Sequence, residues 1–323
     1  MRRSNRFLPS LRSQTFSTAN TADNVIFNRE LKQRQRTTAA RQYAAYEYLR
    51  EECADRLVDR LDDISRSFPT ALELGSYRGA VASALRQRNG PEVEMRTGGV
   101  EKLLVCDLIR SSDRPVLSIS SNGVHVQHLE TNDEALDVED SSVDLVLSSL
   151  SMHWVNDIPG TLGKIKRVLK PDGAFLCSML GGSTLQELRH CFYLAEQERK
   201  GGISPHCSPL VRPSDIAGLM HGAGFSLPTI DVDNITIAYP DVFTLMEHLQ
   251  GMGEQMATFN REYHVGRDTF LSMASIYQDM YGDGDGGIRA TFQVVYMIGW
   301  SPHASQPSAL QRGSAQMSLK NVL

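Results

Sequence analysis

The sequence contains no Cys-x-x-Cys pair; its five cysteines, Cys53, Cys106, Cys177, Cys191 and Cys207, stand far apart. That scatter argues against a thiolate zinc site and a disulfide scaffold, and it fits a reducing compartment. No run of about 18 apolar residues occurs, so no membrane-spanning helix is expected. A basic excess is also missing: the formal net charge is −5, which argues against a general nucleic-acid surface. The first 22 residues lack acids altogether, since none precedes Asp23, yet they hold Arg2, Arg3, Arg6 and Arg12 among several Ser and Thr. Arg-rich, Ser-rich and acid-free is the composition of a mitochondrial transit peptide, and "FLPSL" is too short and too proline-broken for a secretory core. Loss of that segment would leave a chain of net charge near −9, because four arginines go and no acid does.

What is present suits a globular protein: 41% hydrophobic residues over a 323-residue chain is material for one large core or two small ones. A polar linker is expected over 23–37, a folded domain over 38–300, and a loosely ordered Ser/Gln-rich tail over 301–323. Within 38–63, Ala45, Leu49, Ala54, Leu57 and Leu61 recur at helical spacing and predict a core-facing helix. "TALEL", "EKLLVCD", "GVHVQHLE" and "SVDLVLSSLS" read as short apolar strands, and "GAVASALRQR" as the helix after the first, with a Gly/Pro loop over 89–99. Leu162, Ile165, Val168 and Leu169 share a helical face, ended by Pro171, before the strand in "GAFLCSML". Strands alternating with helices predict an α/β fold with a parallel sheet covered on both faces. Beyond residue 181 helices dominate (183–200, 213–222, 241–250 and 267–281), with strands near 229–238 and over 291–300.

"ALELGSYRGA" (71–80) joins the first strand to its helix. Such a turn aims free backbone N–H groups at a ligand, beyond the carboxyl ends of the strands. Gly75 suits the tight turn and Gly79 the close helix packing, but Tyr77 stands where a middle glycine is usual. A tyrosine is expected to resist positive φ, and its Cβ limits close backbone approach. Asp107, ending the second strand, is placed to accept ribose hydroxyls.

With Asp107, "ETNDEALDVEDSSVDLVLSSLSMHWVND" and "VLKPDGAFLCSML", in this order and spacing, the loop resembles the Rossmann-like class I S-adenosyl-L-methionine-dependent methyltransferase fold. That resemblance implies S-adenosyl-L-methionine as cofactor, with Glu73 near its methionine end, Asp107 on the ribose, and Asn132, beside Asp133, at the adenine. It also implies that Ser148 or Ser149, ending the fourth strand, lies near the cofactor. Asn132 replaces the usual aspartate and offers an oxygen without charge.

"LGGSTLQELRHCFYLAEQERKGGISPHCSPLVRPSDIAGLMHGAGF", "YPDVFTLMEHLQGMGE", "ATFQVVYMIGW" and "RGSAQMSL" narrow the match. From about residue 40 to its end the chain resembles the mitochondrial complex I assembly factor 5 family. The resemblance implies hydroxylation of an arginine in a matrix-arm subunit of complex I, with other assembly factors as partners, in the matrix at the inner-membrane face. A true methyltransferase and a catalytically silent assembly chaperone stay open beside it. His153 and Trp154 are placed to wall a guanidinium, an aromatic face attracting a cation, or else Trp154 is a packed anchor with Asp157 capping the next helix. "GGISPHCSP" (201–209), with His206 between two prolines, reads as a lid, and Met252 in 247–254 as core or as partner surface. No catalytic base is identified and no metal set is assigned: His128-Leu129-Glu130 is a chance-level match inside a strand.

Overall fold

The computed structural model describes residues 25–42, 44–88, 97–109, 124–129, 131–262, 264–284, 286–307 and 313. The expected transit peptide, most of the 89–99 loop and most of the tail lie outside them. Seven strands form one sheet: β1 Thr70–Leu74, β2 Lys102–Cys106, β3 His125–His128, β4 Val143–Ser149, β5 Leu169–Leu180, β6 Ser226–Tyr239 and β7 Ile288–Trp300. Their spatial order is β3-β2-β1-β4-β5-β7-β6. The first five pair in parallel, and β7 runs antiparallel to both β5 and β6. The chain thus moves outward from β1 in one direction, then returns to β4 on its other side. The ends of β1 and β4 flank the switch point at which α/β sheets bind ligands.

The strands are apolar on both faces because both are covered. Along β4, Leu145 and Leu147 point into one core with Leu57, Leu61 and Phe292, while Val146 points into the other with Leu72, Ile165 and Phe175. Helices α3 (Ala80–Arg88) and α4 (Ile158–Val168) follow their strands as the apolar spacing predicts. Asp157 caps α4, its carboxylate accepting from Gly160 N at 2.9 Å. α5 (Gln186–Lys200), α6 (Pro213–Gly222), α7 (Val242–Gly251) and α8 (Arg267–Tyr281) make up the helical additions, and the first starts three residues later than its sequence suggests.

The N-terminal side departs from expectation. The linker expected over 23–37 is helical from Arg29: α1 spans Arg29–Gln42, a short 3-10 turn follows, and α2 occupies Tyr48–Asp62. One helix over 38–63 is therefore two. On α2, Leu49, Ala54, Leu57 and Leu61 are buried, whereas Ala45, in the turn before it, is exposed. α1 reads as linker because its inward face is charged: Lys32 and Arg36 are both fully buried. A helix that buries cations escapes a search for apolar periodicity. Met252 is core, 4% exposed, so the partner-surface alternative for it is withdrawn.

Candidate active site

The glycine loop has the backbone of a ligand cradle. Gly75 and Gly79 take φ of +71° and +81°. A side chain on Gly75 would overlap Ser151, which explains the glycine by close approach as well as by φ. Tyr77, expected to resist the left-handed region, adopts it at φ +54°. Two contacts hold it there: its amide donates to the Asp107 carboxylate, and its buried ring carries the Arg50 guanidinium 4.4 Å from the ring centroid. A left-handed non-glycine costs on the order of 1–2 kcal/mol, which those contacts offset.

The remaining sequence-derived candidates sort as follows. Asp107 accepts from Tyr77 N and, at 2.7 Å, from Ile109 N. Glu73 is buried with Oε2 unpartnered, and burial, then the nearby Asp107, pushes its carboxyl up to about 8. Asn132 Oδ1 accepts the amides of Glu134 and Ala135 at 2.9 and 2.8 Å, so its oxygen is spent on a local turn. Asp133 pairs with Arg29 of α1 and accepts from Ser151 Oγ at 3.2 Å. Ser148 Oγ donates to Leu74 O at 3.1 Å, tying β4 to β1, and Ser149 Oγ accepts from Ser178 Oγ at 3.1 Å. α1 lies across all of this: Gln33 donates to Leu108 O, Arg36 reaches Ser151 Oγ and Leu150 O, and Ala39 and Ala40 pack with Tyr77 and Ile109.

His153 and Trp154 stand together on the short turn after β4, and a residue absent from the sequence reading joins them. Glu254 Oε2 accepts from Trp154 Nε1 at 2.7 Å and contacts His153 Nε2 at 3.0 Å, while Oε1 accepts from Arg50 at 2.8 Å. Lys32 Nζ lies 3.3 Å from the Trp154 ring centroid and donates to Gly253 O and Gln255 O. Burial resists ionisation of Glu254, but His153, Arg50 and Lys32 outweigh it and hold the carboxyl well below its ordinary range. Burial likewise pulls Lys32 far down and His153 down, against the attraction of Glu254 in each case. A neutral His153 donating through Nε2 leaves Nδ1, which has no partner, as an acceptor.

On the far side of this group lies a cavity of about 310 Å³. His153, Trp154 and Glu254 form its polar wall; Leu188, Phe192 and Phe292 are among its apolar lining. His206, from the 201–209 loop, also lines it, its ring stacked on Phe192 at 4.2 Å. The structure therefore gathers His153, Trp154 and His206 at the cavity, Asp133 against α1, and Glu73, Gly75, Gly79 and Asp107 around the glycine loop. A cavity of this size, mostly apolar with a few convergent polar groups, is the usual form of a small-ligand site.

The sheet order and the loop at its switch point define a methyltransferase-fold protein, and residues 45–229 match the methyltransferase domain family. A putative methyltransferase structure from Bacillus halodurans superposes with a TM-score of 0.52 at 16% identity, covering 77% of this chain and 99% of that one, which supports the fold alone. Within that class the relatives are specific. The chain is 43% identical over 92% of its length to the mitochondrial arginine-hydroxylase NDUFAF5 of Danio rerio, spanning 89% of that protein. It is 42% identical to the Homo sapiens protein of the same name, over 91% of this chain and 82% of the other. The chain belongs to the NDUFAF5 arginine-hydroxylase family of mitochondrial proteins.

Proposed function

We propose that this chain hydroxylates an arginine of a matrix-arm subunit of complex I, working in the mitochondrial matrix at the inner-membrane face alongside other assembly factors. The observation that carries the reading is the 43% identity to an arginine hydroxylase over 92% of the chain. The cavity fits such a substrate. Its apolar sides would take the aliphatic stem of an arginine, and His153 and the edge of Trp154 at its polar wall would border the guanidinium. His153 Nδ1, buried and without a partner, is the acceptor available there. Insertion of one atom of dioxygen into a C–H bond sends the other to water, so a donor of two electrons and two protons has to take part.

S-adenosyl-L-methionine is the cofactor the fold suggests, and the loop has unsatisfied groups that suit its amino-acid end. Glu73 Oε2 and Ser76 Oγ are buried and unpartnered. A bound ammonium would relieve the raised carboxyl of Glu73. Gly75 and Gly79 would let the backbone come close, and Asp107 would take the ribose. Asn132 Oδ1, the Asp133 carboxylate and the Ser148 and Ser149 hydroxyls already have protein partners, so their part would be to shape the pocket's edge. Once bound, the cofactor supplies a sulfonium methyl group. A methyltransferase is therefore the second reading, favoured by the match of residues 45–229.

Intact-peptide mass spectrometry of the complex I subunit, from cells with and without this chain, separates the readings. A gain of one oxygen on an arginine is the expected result. A gain of one methylene would make the chain a methyltransferase, and an unmodified subunit with failed assembly would leave only a chaperone.

A further inference from the structure

Three side chains from separate segments, at 196, 206 and 262, meet beside the cavity. Glu196 lies in the last part of α5, His206 in the loop after it, and Glu262 ahead of α8; one ligand atom from each falls within 4.8 Å of the others. Glu196 is fully buried, although it carries a carboxylate. His206 is nine-tenths buried, and its Nε2 sits 2.8 Å from Glu196 Oε1 without the alignment of a hydrogen bond, so this nitrogen has no hydrogen-bond partner. A buried imidazole nitrogen within 4.8 Å of two carboxylates, in ion-pair contact with the nearer but not aligned on it, is a donor set that can close on a cation.

We propose that Glu196, His206 and Glu262 bind a divalent first-row metal ion. One imidazole and two carboxylates suit ferrous or manganous ions better than a soft metal, and three protein ligands leave coordination positions open. His206 is the link to the apolar cavity, since the ring that offers Nε2 to the cluster also lines that cavity, held by its stack on Phe192. Lys200 Nζ now bridges Glu196 Oε1 at 3.2 Å and Glu262 Oε2 at 2.8 Å. It is a third exposed and flexible, so it serves as a displaceable counter-charge that balances the carboxylates until a metal arrives. The preference for a redox-active metal rests on the hydroxylase reading; the site itself rests on the ligand cluster.

The test is Co²⁺ binding to the purified, chelator-stripped full chain under anaerobic conditions, followed by visible absorption and by calorimetry without substrate. The expected result is one Co²⁺ per chain, with its absorption lost in His206→Gln. Glu262→Gln, a change at a surface residue, is expected to weaken binding by at least about 10–100-fold, the loss typical even of outer-shell changes. Lys200→Met is expected to tighten it, because a competing charge is removed. No saturable binding in a chain whose thermal melt is intact would overturn the proposal, as would equal binding by His206→Gln. Hydroxylation by a chain that binds no metal would sink the site and spare the proposed activity. Metal binding without hydroxylation would do the reverse.

Discussion

Trp154 and Glu254 form a wall between two unlike compartments. On the α1 side the described side chains are closely packed: Lys32, Arg36 and Arg50 crowd the wall, and Ala39, Ala40, Tyr77 and Ile109 cluster beside the glycine loop. On the other side the lining is apolar and leaves about 310 Å³ open. The packed side therefore holds its groups by electrostatics and fit, so changes there register as stability. The open side has few such obligations, so changes there register as binding. Glu254 belongs to both, which makes it the residue whose loss should cost most.

Glu254→Ala removes the carboxylate that His153 and Trp154 contact and strips Arg50 of its 2.8 Å partner. Breaking a buried ion pair by deleting one member costs about 3–5 kcal/mol, and urea unfolding should register a loss of that size. The sign with pH follows from the depressed carboxyl. The stabilisation is complete above the ordinary value of 4.5 and drains away as pH falls below it, so the variant's acid limb should be flatter than the parent's.

Tyr77 tests the packed side more finely. Tyr77→Ala loses a buried ring and its guanidinium stack, a cost of about 3–5 kcal/mol at the upper end, while retaining a left-handed residue. Tyr77→Gly loses the same ring but sheds about 1–2 kcal/mol of backbone strain. The glycine variant should therefore melt above the alanine variant, the reverse of the order in ordinary helix or strand positions. Equal melting temperatures would mean that φ +54° is not strained here.

Glu73 is buried at the end of β1, with its carboxyl raised to about 8 from an ordinary 4.5. Between those values the folded chain holds a proton that the unfolded chain releases, so stability falls as pH rises through the window. The slope reaches about 1.4 kcal/mol per pH unit. Glu73→Gln should remove that slope and melt higher than the parent at pH 8. Adding S-adenosyl-L-methionine to the parent should flatten the same slope if the ammonium sits on Glu73.

These compartments were not equally visible beforehand. The strands, the glycine loop, Asp107 and α4 announce themselves because apolar alternation and a Pro or Gly at the right place are local signals. His153 and Trp154 were found because they follow a strand that ends at the switch point. Lys32, Arg36 and Arg50 were hidden because buried cations look like solvent-facing ones. The 29, 32 and 36 spacing of basic residues on one helical face was the signal present. Glu254 had no signal, since one glutamate in a Gly/Met turn looks like any other. His206 was legible as a lid residue, but its meeting with Glu196 and Glu262 was not, because only the packing of α5 against α8 and the 201–209 loop brings the three together. Position in a motif also says nothing of the Asn132 Oδ1, which accepts the amides of Glu134 and Ala135.

The smallest expected effect on stability tests the open side itself. Met246 is half-buried on the cavity wall, and the space it faces can take a larger ring without displacing the sheet. Met246→Trp should change stability by less than about 1 kcal/mol, or about 2–4 °C in melting temperature for a domain of this size. Arginine hydroxylation should nevertheless fall at least about tenfold, the equivalent of 1.4 kcal/mol in the transition state. Such a split can arise only where the side chain borders space used by substrate and not space that holds the fold together. If the variant keeps full activity, the substrate arginine does not enter this cavity. The wall would then be a structural partition, and the search for the reacting residue would move to the α1 side.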